Sequence, residues 1–248
     1  MTTVAIQAQV GFNDSLNGTS LANYTWIPLN NAGTGSSGTT ISFDNTSGNG
    51  LEVDVSNKGG TAVQGLYLND TGAYLPIGSM LEINLDWQTA NQLNFGIVVG
   101  SSLSLTPASG DNSDVRNQTQ YVFASPKSNA NFDYAGGYDG TAGQLSSVGT
   151  TVAGTIGTLA IERVNANTFN TYYDIGNGLT LYATKTVTTS LNVGDVIGFY
   201  ADVRANGTPS LGYLSDLRIV AVPEPATMAL TNLGGLLVLI THMKRKKM

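Results

Sequence analysis

Met80-Leu81-Glu82-Ile83-Asn84-Leu85-Asp86-Trp87 decides the fold class. Leu81, Ile83, Leu85 and Trp87 fall on one face of an extended chain, and Glu82, Asn84 and Asp86 on the other. Successive strand side chains point to opposite faces, so this is a half-buried antiparallel strand. Downstream, residues 93–99 (LNFGIVV) form a more continuous apolar run, the pattern of a central strand. Upstream, Leu51-Glu52-Val53-Asp54-Val55 alternates again. Further along, Leu159, Ile161 and Arg163 alternate with Ala160, Glu162 and Val164. Residues 169–175 and 179–182 flank Gly176-Asn177-Gly178, a hairpin signal because these residues tolerate positive φ. Two more β-like runs, 196–203 and 211–220, complete the body. Gly, Asn and Ser clusters at 33–40, 45–50, 57–60 and 109–113 break the chain at short intervals. No amphipathic helix of eleven or more residues precedes the C-terminal tail. About twelve short strands with polar turns predict an all-β, two-sheet antiparallel β-sandwich over residues 10–221.

Composition narrows the function classes. Charged residues make up 11% of the 248, while there are 30 glycines, so the surface is polar but weakly charged. The formal charge is -6. Without the four cations near the C-terminus and Glu224, 7 basic and 16 acidic residues remain, a charge of -9. An acidic body argues against a nucleic-acid partner, which demands cation–phosphate contacts. There is no cysteine, hence no disulfide framework and no thiolate metal site. The sole histidine, His242, lies in the tail, so the body has no imidazole for a Ser-His-Asp relay or a zinc site.

The tail is the most specific stretch. Val222-Pro223-Glu224-Pro225 is followed by an apolar run over residues 226–240, and Lys244-Arg245-Lys246-Lys247 comes one residue before the end. Residues 226–243 carry no charge and number 18, at the short edge of the roughly 17–25 needed to cross a bilayer core. This predicts one C-terminal transmembrane helix. The basic end would stay cytoplasmic and the body would face outward. Pro223 and Pro225 keep the junction extended and open to a processing enzyme. The arrangement over residues 222–248 resembles the PEP-CTERM sorting signal of exosortase substrates. That resemblance implies export, transient membrane retention and removal of the tail near Pro-Glu-Pro by an exosortase-type enzyme. The usual tail is richer in arginine than this one. At the other end, residues 1–9 (MTTVAIQAQ) read as the remnant of a signal peptide, with Ala8 at its edge.

The body resembles concanavalin A-like (laminin G-like) jelly-roll modules. The resemblance lies in residues 11–25, opening on Gly11-Phe12-Asn13-Asp14, and in 193–200 with 213–219 near the end. It implies that the first and last strands lie side by side.

Candidate chemistry is sparse. Glycosidases on such a fold use two carboxylates as acid and nucleophile. Their E-x-D-x-x-E pattern is absent, leaving the pairs Glu52/Asp54 and Glu82/Asp86, which strand alternation already explains as solvated faces. No catalytic residue is assigned. Asp111 and Asp114, and Asp133 and Asp139, lie in oxygen-rich loops that could hold calcium, though polar turns account for them more simply. No other cofactor is implied. Tyr134 and Tyr138 could stack on sugar rings, or fill the sandwich core. The expectation is an exported, non-enzymatic, structural or adhesive protein of the cell envelope or extracellular matrix, touching polysaccharide weakly. A glycan-active enzyme and a plain C-terminally anchored surface protein are the alternatives.

Overall fold

The computed structural model describes residues 11–18, 20–29, 40–44, 46, 48–57, 63–89, 93–101, 121–128, 131–137, 150–151, 155–187, 194–203 and 210–222. Among them are fifteen strands. The first five are β1 (Asn13–Asp14), β2 (Tyr24–Leu29), β3 (Thr40–Asp44), β4 (Leu51–Asn57) and β5 (Val63–Asn69). The middle of the chain gives β6 (Ser79–Thr89), β7 (Leu93–Gly100), β8 (Tyr121–Ser128), β9 (Asn131–Gly137) and β10 (Thr150–Thr151). The last five are β11 (Thr158–Arg163), β12 (Thr168–Asp174), β13 (Thr180–Thr186), β14 (Val196–Val203) and β15 (Ser210–Ala221). A short 3-10 helix, Ser20–Asn23, precedes β2. The count exceeds the twelve expected, in part because β1 and β10 have two residues each. Two residues are too few to display an alternation.

The strands form two antiparallel sheets. The larger has eight strands in the order β13-β12-β11-β6-β15-β4-β3, with β1 added beside β15; the smaller has seven, β10-β9-β8-β7-β14-β5-β2. The long strand β6 lies between β11 and β15, and β7 sits between β8 and β14, a central place matching its continuous apolar run. Register explains the core. Ile219, Leu81 and Ile161 line up across β15, β6 and β11, as do Leu214 with Leu85 and Ile83 with Leu159. All of them are buried and meet Ile97, Val99, Val122, Ile197 and Phe199 of the other sheet in one cluster. Burying a side chain such as Phe169 or Phe199 contributes roughly 2–3 kcal/mol.

First and last strands do lie together: Asn13 pairs with Arg218 and Asp14 with Leu217. A bulge makes this arrangement. Between Ser215 and Arg218 the register of β15 against β6 slips, and Asp216 adopts φ 54. Before the bulge β15 pairs with β4; beyond it, β1 takes the same edge. Where the chain crosses β15 at Gly50, a Cβ would run into the Leu214 carbonyl oxygen, so only glycine fits. Asp14 organises the opening stretch. Its carboxylate accepts the Leu16 amide at 2.8 Å and the Tyr24 hydroxyl at 2.9 Å. This holds Leu16, with φ 58, fully buried in the core.

The two sheets differ on their outer sides. In the seven-stranded sheet Phe123, Val98 and Leu68 line up outside the core row and are buried as well. In the eight-stranded sheet the corresponding face carries Glu82, Asn84, Asp86, Glu162 and Asn170, with Met80 and Ala160 as its buried apolar members. Among the described residues no helix is long and apolar enough to cross a membrane. The expected signal remnant at residues 1–9 and the expected membrane helix lie outside the described residues.

Candidate functional site

Strand register brings four side chains of the eight-stranded sheet into one outward row. Asp44 of β3 pairs with Glu52 of β4, Glu52 pairs with Tyr213 of β15, and Tyr213 pairs with Asp86 of β6. Core residues Val53, Leu85 and Leu214 alternate with them, so the row points away from the core. The Tyr213 hydroxyl donates to the Glu52 carboxylate, and Asp86 adds its negative charge from the opposite side. The phenolate would face both charges, so the Tyr213 phenol is held above its ordinary value, chiefly by the bond to Glu52. Asp44 is turned instead toward Thr46, whose hydroxyl and amide donate to it at 2.6 and 2.8 Å and hold its carboxyl below the usual range.

Two further groups continue this face. The Arg218 guanidinium donates through Nε and Nη2 to one oxygen of Glu82, each at 2.8 Å. Beside it, Asn84 donates to Asp216 at 2.9 Å and accepts from the Thr158 hydroxyl at 3.3 Å. On β11 to β13, Tyr172 donates a very short bond to Glu162. Asn170 donates to Glu162 at 3.0 Å and accepts the Thr184 hydroxyl at 2.7 Å. Partial burial and the bond to Glu162 push the Tyr172 phenol up to about 12. Glu82 and Glu162 are therefore engaged acceptors. Glu52 and Asp86 are separated by two strand spacings, about 10 Å of backbone, with a phenol between them.

Of the carboxylates marked in the sequence, Glu52 and Asp86 come together around Tyr213, while Glu82 is held by Arg218. Asp54 pairs with Ser42 and Leu211 in register, one row beyond. The sequence pairs Glu52/Asp54 and Glu82/Asp86 thus give way to a cross-strand pair. Tyr134 and Asp133 fall within β9, whose side chains lie outside the described set. Asp111, Asp114, Tyr138 and Asp139 are outside the described residues altogether. So are Pro223, Glu224, Pro225, Lys244, Arg245, Lys246 and Lys247; Val222 is described. Among the described residues no group of three or more acidic or histidine side chains is placed to hold a metal ion.

Sequence reasoning missed Tyr213, Tyr172, Glu162 and Asn170 as partners. Their parity on the strands shows that they face outward, but only register shows who stands beside them. It also passed over Lys185, which is 4% exposed on β13 opposite the core residue Phe169.

No protein-family model matches the chain, and no curated protein does. Solved structures similar to it include lectin II from Ulex europaeus, at 10% identity and TM-score 0.45, covering 85% of this chain and 99% of that one. A Bacillus subtilis protein of unknown function with a galectin-like fold matches at 10% identity and TM-score 0.45, over 86% and 98%. A Bacteroides ovatus mixed-linkage glucan GH16 structure in complex with product matches at 12% and 0.45, over 84% and 99%. None of these likenesses assigns a role to a residue of this chain.

Proposed function

We propose that the chain is an exported, non-enzymatic β-sandwich protein whose eight-stranded sheet binds neutral polysaccharide weakly through its outer face. The tail, with its PEP-CTERM-like order, delivers it to the cell envelope or extracellular matrix. The observation that carries the binding role is the row Glu52-Tyr213-Asp86. A partly exposed phenol offers an apolar ring face, and carboxylates on both sides offer acceptors for sugar hydroxyls. Tyr172, Asn170 and Thr184 repeat the same chemistry three strands away.

The non-enzymatic reading is supported by the spacing. A retaining glycosidase places its carboxyl groups about 5–5.5 Å apart, and an inverting one leaves room for a water between them. Here the backbones of Glu52 and Asp86 stand two strand spacings, about 10 Å, apart, and Tyr213 of the intervening strand shares their row. The delivery reading rests on residues 222–248. An exosortase-type enzyme and the membrane are the partners it implies.

The full chain in detergent micelles, applied to an array of neutral glycans, tests the binding role. Retention on one or more polysaccharides, lost in Tyr213→Ala, is the expected result; no retention on any glycan would overturn it. Mass spectrometry of the mature C-terminus tests delivery. A mass ending near Pro223 is expected, and an intact Lys247-Met248 end would favour the plain anchor.

A further inference from the structure

The point where the chain leaves the sandwich is unusually well defined. β15 pairs with β6 through Ala221 opposite Ser79, and the Val222 amide then donates to the Gly78 carbonyl at 3.0 Å. Pro223 follows and has no amide to continue the ladder. Two turns flank this exit. In the first, Ser79 donates to the Pro76 carbonyl, with Ile77 at its tip. The second spans 164–168, where Val164 donates to Thr168. The Gly78 amide donates to the Arg163 carbonyl at 2.8 Å, so the two turns adjoin. Their tips are apolar and open: Ile77 is 56% exposed and Val164 41%.

The two turns themselves carry no charge, although Asp195 lies near enough to attract the adjoining Arg163. Pro76-Ile77-Gly78 and Val164-Asn165-Ala166-Asn167 contain no ionisable side chain. The neighbouring Arg163 guanidinium is turned into the protein. It donates to the Leu75 carbonyl at 2.9 Å, lies 5.9 Å from the Phe169 ring centre and packs against Gly194.

We infer that Ile77 and Val164 form a lipid-contacting tip, seated in the headgroup layer of the membrane that holds the tail. The inference rests on the tail reading proposed above. Chain length supplies the argument. From Val222 to Ala226, where the apolar run starts, is four residue steps, at most roughly 14 Å of extended chain. The headgroup layer on each side of a bilayer is about 5–8 Å thick. With the run inserted, the exit end of the sandwich is tethered within roughly 9 Å of the lipid surface, close enough for its tips to reach the headgroup layer. Exposed apolar tips without charge suit that position.

The absence of cysteine permits single-site labelling of the full chain. Ile77→Cys, Val164→Cys, Asn177→Cys and Leu237→Cys would each carry an environment-sensitive fluorophore in phosphatidylcholine–phosphatidylglycerol vesicles containing lipid-borne nitroxide quenchers. Asn177 lies in the turn between β12 and β13 at the opposite end of the sheet, and Leu237 reports on the tail itself. Expected is strong quenching at position 237, with blue-shifted emission and several-fold greater quenching at 77 and 164 than at 177. Quenching at 237 while 77 and 164 behave like 177 would overturn the lipid-contacting tip and leave the tail reading intact. This includes the case where the tip serves a processing enzyme instead of lipid. An unquenched 237 would overturn the tail reading, and the tip with it.

Discussion

Tyr24 and Tyr213 are both hydrogen-bonded to a carboxylate, yet the two corners of the molecule use the pair in opposite ways. Tyr24 is 6% exposed; it donates to Asp14 and rests 5.3 Å, ring to ring, from Phe199 in the core. Tyr213 donates to Glu52 on an outer face, beside a second carboxylate. Tyr172 with Glu162 stands between them in depth. The difference teaches that burial, not the pair itself, decides whether a tyrosine–carboxylate contact holds the fold or remains available to a ligand. A buried phenol cannot exchange its partner for water, whereas an exposed one exchanges it readily.

Substitutions can break this comparison at each depth. Tyr24→Phe leaves the half-buried Asp14 carboxylate with one partner fewer and should lower unfolding stability by roughly 2 kcal/mol, read by urea denaturation. Tyr172→Phe should cost about 1 kcal/mol once solvent screening is allowed for. Tyr213→Phe should leave the denaturation midpoint unchanged within error, whereas Tyr213→Ala, which removes the ring, should weaken retention on polysaccharide. If Tyr213→Phe destabilised the protein as much as Tyr24→Phe, depth would not be the deciding variable.

Alkaline pH sharpens the same contrast. Tyr24 is held above the ordinary phenol value, first by burial and then by the Asp14 charge, and Tyr172 is pushed up to about 12. The unfolded chain releases these protons near pH 10 while the folded one keeps them, so the unfolded state binds fewer protons. The contribution is therefore complete below about pH 10 and is lost as pH rises from there through the folded values. Stability measured between pH 9 and about 12 should fall, and fall less steeply in Tyr24→Phe and Tyr172→Phe than in the wild type. The smallest effect is expected at Arg218. It is partly exposed, so Arg218→Lys should lower stability by less than about 1 kcal/mol, by thermal denaturation, although it removes the two-nitrogen contact to Glu82.

Much of the sandwich is legible in the residues alone. The alternation of residues 80–87 assigns Leu81, Ile83 and Leu85 to the core and Glu82, Asn84 and Asp86 to the outside, as found. The Gly176-Asn177-Gly178 turn joins β12 and β13, and the Asp14 opening stretch does meet the last described strand, β15. The candidate site is only half legible. Parity places a residue on a face, but it does not say which distant strand lies alongside. Tyr213 reaches Glu52 and Asp86 because β15 inserts between β4 and β6, a long-range pairing with no local signal. The bulge at Asp216 is equally hidden, since nothing in Leu214-Ser215-Asp216-Leu217 demands positive φ there. The tail shows the reverse case: its motif is plain in sequence and lies outside the described residues apart from Val222.

The central claim is that the outer face around Tyr213 binds polysaccharide. The most direct measurement compares wild type with Tyr213→Ala on the same immobilised glycans, after circular dichroism and denaturation have shown that both are equally folded. The account predicts retention by the wild type and its loss, several-fold or more, in the variant. Equal retention by the two would contradict it.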